Sequence, residues 1–281
     1  MRRGASVRAG NALWDIAVPS TPGRLAGVSM AGFRDRGDDV VDLRVVPYPA
    51  ATIVIDLSCE LFLEASGGRS KCGSVAAGLM PGPVRGGGRN IECLQIRLSP
   101  VVAHAVLGET WELSGTVVAL GDLWGPEAPR LEEQLRAACS WDDRFLIAEA
   151  ALTRRYEAGR AFDPEVAFVW DLMVAGQGQV RVDRLAAEVE WSRKRLWSRF
   201  GYQVGLSPKR AAQLIRFDRA VHSLAEGHRA AIVAAEAGYA DQSHLHRDVV
   251  AFTGATPTAV AVAPWLAVDD VAWARREPVE I

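Results

Sequence analysis

Over the first hundred residues, apolar and polar positions alternate in short runs. Val40-Val41-Asp42-Leu43-Arg44-Val45-Val46 and Thr52-Ile53-Val54-Ile55-Asp56-Leu57 are β-branched and partly alternating, and Cys59–Glu64 and Ile91–Leu98 alternate more clearly. Gly67-Gly68, Pro81-Gly82-Pro83 and Gly86-Gly87-Gly88 punctuate them, so the pattern predicts strands joined by hairpins and loops, with Gly86–Gly88 a flexible turn. Short strands at this spacing suggest a sandwich or small barrel. After Ser99 the period lengthens. Pro100–Leu107, Glu127–Cys139 and Asp142–Ala158 are rich in Ala, Leu, Glu and Arg and predict helices. Gly159–Pro164 reads as a break, and helical periodicity resumes beyond it. The expected fold is α+β. A β-rich sandwich or barrel-like domain with following helices occupies 1–162, an all-α domain 163–262, and a tail 263–281.

Within the all-α domain the same plan occurs twice: a short helix, a turn and a second short helix. The first unit is Val182–Trp191 followed by Ser192–Phe200, and the second is Ala230–Tyr239 followed by Asp241–Val249. Asp183, Ser192 and Asp241 suit N-cap positions, and Gly238 suits a left-handed helix stop. This is the helix-turn-helix layout, whose second helix enters the DNA major groove. At ~100° per residue, Leu196 and Phe200 share one face of the first recognition helix, with Lys194, Trp197 and Ser198 opposite. Leu245, Val249 and Phe252 form the apolar stripe of the second, with Ser243, His246 and Arg247 facing away and Gln242 and His244 near its start. Lys194 and Arg247 can meet guanine or phosphate, the Gln242 amide can pair with adenine, and Trp197 can press on a thymine methyl. Ser207-Pro208 opens a helix through Leu214, Phe217, Val221 and Leu224 that ends near Gly227. About 19 residues at ~1.5 Å each span ~28 Å, close to the ~34 Å between half-sites one DNA turn apart.

Charge supports this reading once it is resolved by region. The whole chain of 281 residues carries a formal −2, yet residues 180–260 hold 12 Lys+Arg against 8 Asp+Glu, a basic module behind an acidic body. Met1-Arg2-Arg3-Gly4-Ala5 leads into no apolar run, so no secretory signal is expected. No stretch approaches ~18 apolar residues, so no spanning helix is expected. The longest apolar run, Ala259–Val268, contains Pro264. Cys59, Cys72, Cys93 and Cys139 form no Cys-x-x-Cys pair and no disulfide framework. Buried thiols in a β core are the favoured reading of the first three, and a thiol sensor the alternative. A cytoplasmic location follows as the default. His104 is the one histidine before Pro164 and reads as a structural residue. His244 and His246 lie two apart on a helix and cannot share an ion. No nucleophile elbow, phosphate loop or paired-carboxylate motif is evident, so neither an enzyme nor a cofactor or metal site is expected. Trp124, Trp141 and Trp170 read as packing anchors.

The stretch Val180–Val260 resembles the DNA-binding domain of AraC/XylS transcription regulators. The marks are Leu185-Ala186, Ser192, Leu196, Phe200, Gly205-Leu206-Ser207-Pro208, Arg216, Ala220, Ile232, Gly238-Tyr239, Asp241-Gln242-Ser243-His244-Leu245, Arg247 and Gly254-Ala255-Thr256-Pro257. The resemblance implies a cytoplasmic regulator that inserts two recognition helices into successive major grooves of double-stranded promoter or operator DNA. The DNA-binding positions it points to are Arg193, Lys194, Trp197, Ser198, Gln242, Ser243, His244, His246 and Arg247. The sequence departs from the family pattern at Ser198, where arginine is common, and at Val249 and Val250, where an aromatic and a basic residue are common. Residues from about Val45 to Gly125 resemble, more loosely, sensor domains that precede this DNA-binding domain, chiefly through Leu113–Gly125. That implies a ligand-binding or dimerisation role, with a small-molecule effector, RNA polymerase and a second copy of the chain as further partners and no membrane partner. The alternative is a small-molecule-binding or catalytic β domain whose helical half is an interaction module.

Overall fold

A computed structural model describes residues 5–9, 12–21, 23–65 and 70–273. Gly67-Gly68 and the end of the tail therefore lie outside the described residues. The fold is α+β, with two antiparallel sheets followed by helices. The larger sheet runs in the order β1 (Ala5–Ala9), β2 (Ala12–Ala17), β3 (Val28–Asp35), β10 (Glu92–Leu98), β5 (Ala51–Asp56), β8 (Val75–Ala77) and β11 (Val117–Ala119). The smaller sheet is β4 (Val41–Val45), β9 (Val84–Gly88), β6 (Phe62–Ala65) and β7 (Lys71–Cys72). The two sheets bury Trp14, Phe33, Leu43, Val54 and Leu61 in a shared core.

Strands β5 and β10 alternate only partly because both of their faces are buried. Ile53, Ile55, Leu94 and Ile96 pack toward the helices on the outer face of the large sheet. Val54 and Cys93 face the core between the sheets. The outer layer consists of α1 (Pro100–Leu107), α2 (Thr110–Leu113), α3 (Leu120–Trp124), α4 (Glu127–Ala137) and α5 (Trp141–Ala158). Trp124 is buried there, while Trp141 is half-buried and lies over Gly32, where any Cβ would collide with its ring.

The Gly86–Gly88 turn is a correction. These residues form the second half of strand β9, paired to Val41–Leu43 and Phe62–Leu63. A Cβ at Gly87 would run into the Val41 carbonyl and the Phe62 ring, so glycine serves close strand approach there. The cysteines need correcting too. Cys93 is buried, but Cys59 and Cys72 are exposed, as is Cys139. Cys59 sits in the left-handed turn after β5 (φ 66°), and Cys72 on the short edge strand β7.

The remaining helices are α6 (Pro164–Ala175), α7 (Val182–Glu188), α8 (Arg193–Val204), α9 (Pro208–Ala225), α10 (Ala230–Glu236), α11 (Gln242–Thr253), α12 (Pro257–Ala261) and α13 (Pro264–Ala272). Phe200, Phe217 and Phe252 are fully buried in the helical core, each worth roughly 1.5–3 kcal/mol of apolar burial. Phe217 and Phe252 hold their ring centroids 4.6 Å apart, and Trp170 is buried beside them. Helix α13 leaves this core and packs on β1, β2 and β4. Among the described residues, no helix is long and apolar enough to cross a membrane.

Candidate nucleic-acid interface

Each helix-turn-helix unit is built by the same local devices. In the first, Trp191 N–H donates to the Ala186 carbonyl and the chain reverses through Glu190, whose φ is 53°. In the second, Tyr239 N–H donates to the Ala234 carbonyl and the reversal passes through Gly238, φ 72°. Glycine adopts this left-handed geometry freely, whereas Glu190 holds it at a cost of about 1 kcal/mol. The recognition helices then start on side-chain caps. Ser192 Oγ accepts from Arg195 N at 3.2 Å, and Asp241 Oδ1 accepts from His244 N at 2.7 Å. Asp183 does not cap α7, whose N-cap is Arg181. The helix begins earlier than its polar pattern suggests. Asp183 occupies the first turn, where a carboxylate favours the helix dipole, and reaches across to Arg193 at 3.1 Å.

The apolar stripes are as the periodicity requires: Leu196, Phe200, Leu245, Val249 and Phe252 are each fully buried. Arg193, Lys194, Trp197, Ser198, Gln242, Ser243, His246 and Arg247 are all exposed. Trp197 leaves 41% of its surface in solvent, unusual for a tryptophan in a packed module. His244 is half-buried, its ring edge-on to Tyr239 at 5.2 Å. Arg247 Nε donates to the Ser243 carbonyl at 3.3 Å, which folds its stem along the helix. Helix α9 joins the units through 18 residues, opened by the Ser207 cap and Pro208.

Residues 185–261 match the family model described as a helix-turn-helix domain. The helical module is an AraC-type helix-turn-helix domain. The chain is a DNA-binding transcription regulator. No curated protein matches it significantly. Among solved structures it is similar to ToxT from Vibrio cholerae O395, at 11% identity and a TM-score of 0.48 over 85% of this chain and 99% of that one. It is also similar to the AraC-like transcriptional activator CuxR, at 16% identity and a TM-score of 0.27 over 80% and 90%. The C-terminal domain of AraT, a response regulator from Geobacillus stearothermophilus, matches at 17% identity and a TM-score of 0.35 over 36% and 87%.

In the AraC-type domain, the C-terminal end of α8 is anchored to the start of α6 and to α2. Arg199 makes a bidentate pair with Asp163 at 2.7 and 2.8 Å, so this arginine is engaged within the protein. The hydrogen bonds and charge of Arg199 hold the Asp163 carboxyl below its usual range against the opposing effect of burial. Thr110 Oγ1 donates to the Gln203 carbonyl at 2.5 Å. His104 is buried against Phe162 and Tyr202, and burial pushes its pKa down. It belongs to the packing of α1 against α8. A second anchor joins α9 to the loop after β8, where Arg210 donates to the Pro81 carbonyl at 2.9 Å and lies 4.0 Å over the Phe252 ring.

Between the two sheets lies a cavity of about 100 Å³. Among the described residues, no charged side chain lines it. Its polar groups centre on the Tyr48 hydroxyl, which shares a 2.6 Å hydrogen bond with Thr52 and accepts from Gln95 Nε2 at 2.8 Å. Burial pushes the Cys93 thiol in its wall up to about 12, so that thiol stays neutral. Trp265 and Val268 of α13 close one side of the wall. The sequence signal for this contribution was the apolar run ending at Val268, which periodicity alone could not assign to a site. Among the described residues, no group of three or more His, Cys, Asp or Glu side chains could hold a metal ion.

Proposed function

We propose that the regulator reads promoter or operator DNA through α8 and α11 in successive major grooves, with Arg193, Lys194, Trp197, Ser198, Gln242, Ser243, His244, His246 and Arg247 at the DNA. The observation that carries this reading is the division of each recognition helix into a buried apolar stripe and an exposed polar face. A solvent-exposed Trp197 amid Lys194 and Ser198 suits contact with base edges better than packing within the protein. Helix α9, at about 27 Å for its 18 residues, suits a reach of one DNA turn of ~34 Å once side chains are added. Arg193 exchanges its exposed partner Asp183 for phosphate at little cost.

Residues 1–162 act as the sensor and 163–262 as the DNA-binding unit. The inter-sheet cavity takes a small effector. With no counter-charge among the described residues of the cavity wall, an ionised ligand would lose hydration without recompense, so the effector is neutral and mostly apolar. The protein works in the cytoplasm, with RNA polymerase and a second copy of the chain as its partners.

The test is hydroxyl-radical footprinting on DNA recovered by genomic pull-down. Two protected tracts about 10 base pairs apart on one face of the duplex are expected, with affinity falling steeply with salt. A single tract would refute the two-groove reading.

A further inference from the structure

We propose that α13 is a strap that completes the cavity wall and carries cavity occupancy to the DNA-binding domain, an inference that rests on the cavity accepting a neutral small molecule. The chain returns after both helix-turn-helix units to lay α13 across the β-rich half, where Val268 and Ala272 join the inter-sheet core and Trp273 tilts against Phe33. The cavity is incomplete without this helix, because Trp265 and Val268 belong to its wall. An occupant therefore gains its contacts with Trp265 and Val268 only when α13 is docked, so docking and binding favour one another.

Docking is also wired to the long helix α9. Arg97 of β10 forms an ion pair with Asp269 of α13, and Asp269 accepts from His222 Nε2 of α9 at 3.1 Å. The Arg97 guanidinium lies 3.6 Å over the Tyr48 ring and 4.3 Å over the Trp273 ring. Tyr48 in turn carries its hydroxyl into the cavity wall. One continuous set of contacts thus runs from the cavity through Tyr48, Arg97 and Asp269 to His222, beneath the rod that spaces the two recognition helices. Asp269 is a positioning residue, since it touches the strap's partners and not the cavity.

The wall also states a ligand chemistry. The indole N–H groups of Trp14 and Trp265 are buried without a hydrogen-bond partner among the described residues, and both residues line the cavity. A neutral apolar molecule carrying one carbonyl-type acceptor (a ketone, ester or lactone) would satisfy such a donor.

The experiment uses the full chain with acetophenone as the neutral probe and benzoate as its charged counterpart. Calorimetry should show acetophenone binding, with benzoate at least about tenfold weaker. Hydrogen exchange at residues 264–272 should slow when acetophenone binds. Asp269→Asn should weaken acetophenone by about fivefold or more although it leaves the cavity wall intact. His222→Gln, which keeps a side-chain donor toward Asp269, should weaken it less and serves if Asp269→Asn does not fold. Wild-type acetophenone affinity in both variants, with unchanged exchange at 264–272, would overturn the strap and leave the cavity reading standing. No acetophenone binding to the wild-type chain would overturn both.

Discussion

Stability should depend on pH through His222 in a way that His222→Gln abolishes. The ring is buried, its Nδ1 donates to the Asp218 carbonyl at 2.7 Å and its Nε2 to the Asp269 carboxylate at 3.1 Å. Both ring nitrogens then carry protons, so the folded state holds an imidazolium. Burial opposes that charge, but the Asp269 hydrogen bond and the charge of Asp218 outweigh it and push the pKa from 6.5 up to about 9. The other charged groups at hand are Asp270, 3.8 Å from Nε2, and Arg97, which faces the same Asp269. Because the folded value is raised, the stabilisation is fully present below pH 6.5 and is lost as pH climbs toward 9. At roughly 1.4 kcal/mol per pH unit, that interval is worth at most about 3.5 kcal/mol. Asp269 is shifted the other way: Arg97 and His222 outweigh its burial and hold its pKa below the usual carboxylate value. Its contribution is therefore present above about pH 4 and disappears on acidification. Urea unfolding of wild type and His222→Gln should show a stability gap that shrinks by about 1–3 kcal/mol between about pH 6 and pH 10. NMR of the imidazole protons should place the His222 titration near 9. A gap constant over that range, or a ring titrating at or below 6.5, would refute the imidazolium reading.

Other substitutions probe the DNA-binding module and the thiols. Arg247→Ala should cost about 1–3 kcal/mol on the cognate site if it reads a guanine, measured by anisotropy; an equal loss on scrambled DNA would assign it to phosphate alone. Glu190→Gly should raise stability by about 0.5–1 kcal/mol by relieving a left-handed backbone, seen as a higher denaturant midpoint; a lower midpoint would show that the glutamate side chain contributes more than the backbone costs. Native alkylation at about pH 8 followed by mass spectrometry should label Cys59, Cys72 and Cys139 and spare Cys93, whose burial keeps the thiol protonated; rapid labelling of Cys93 would mean that the sheets open to solvent.

The AraC-type module was legible in the sequence because its determinants are local. Caps such as Ser192 and Asp241 act within three residues, and the 3.6-residue period exposes Lys194 and Trp197 as it buries Leu196 and Phe200. The β-rich half was legible only as a class. Strands buried on both faces lose the alternation that marks a half-buried strand, so periodicity could not say which sheet β5 and β10 would join. For the same reason Gly86–Gly88 resembled a turn, since nothing local reveals that Val41 and Phe62 will crowd the backbone.

Tertiary structure alone decided three things. It spent Arg199 on Asp163, although in sequence this arginine stands beside the recognition-helix positions. It turned the end of the apolar run that starts at Ala259 into a helix packed on β1, β2 and β4. It also gathered Arg97, His222 and Asp269, up to 172 residues apart, into one buried cluster. A helix cap or an amphipathic face is specified by neighbours a few bonds away, and so it can be read along the chain. A cavity wall or an ion cluster is specified by which distant surfaces exclude water together, and that exists only once the chain has folded.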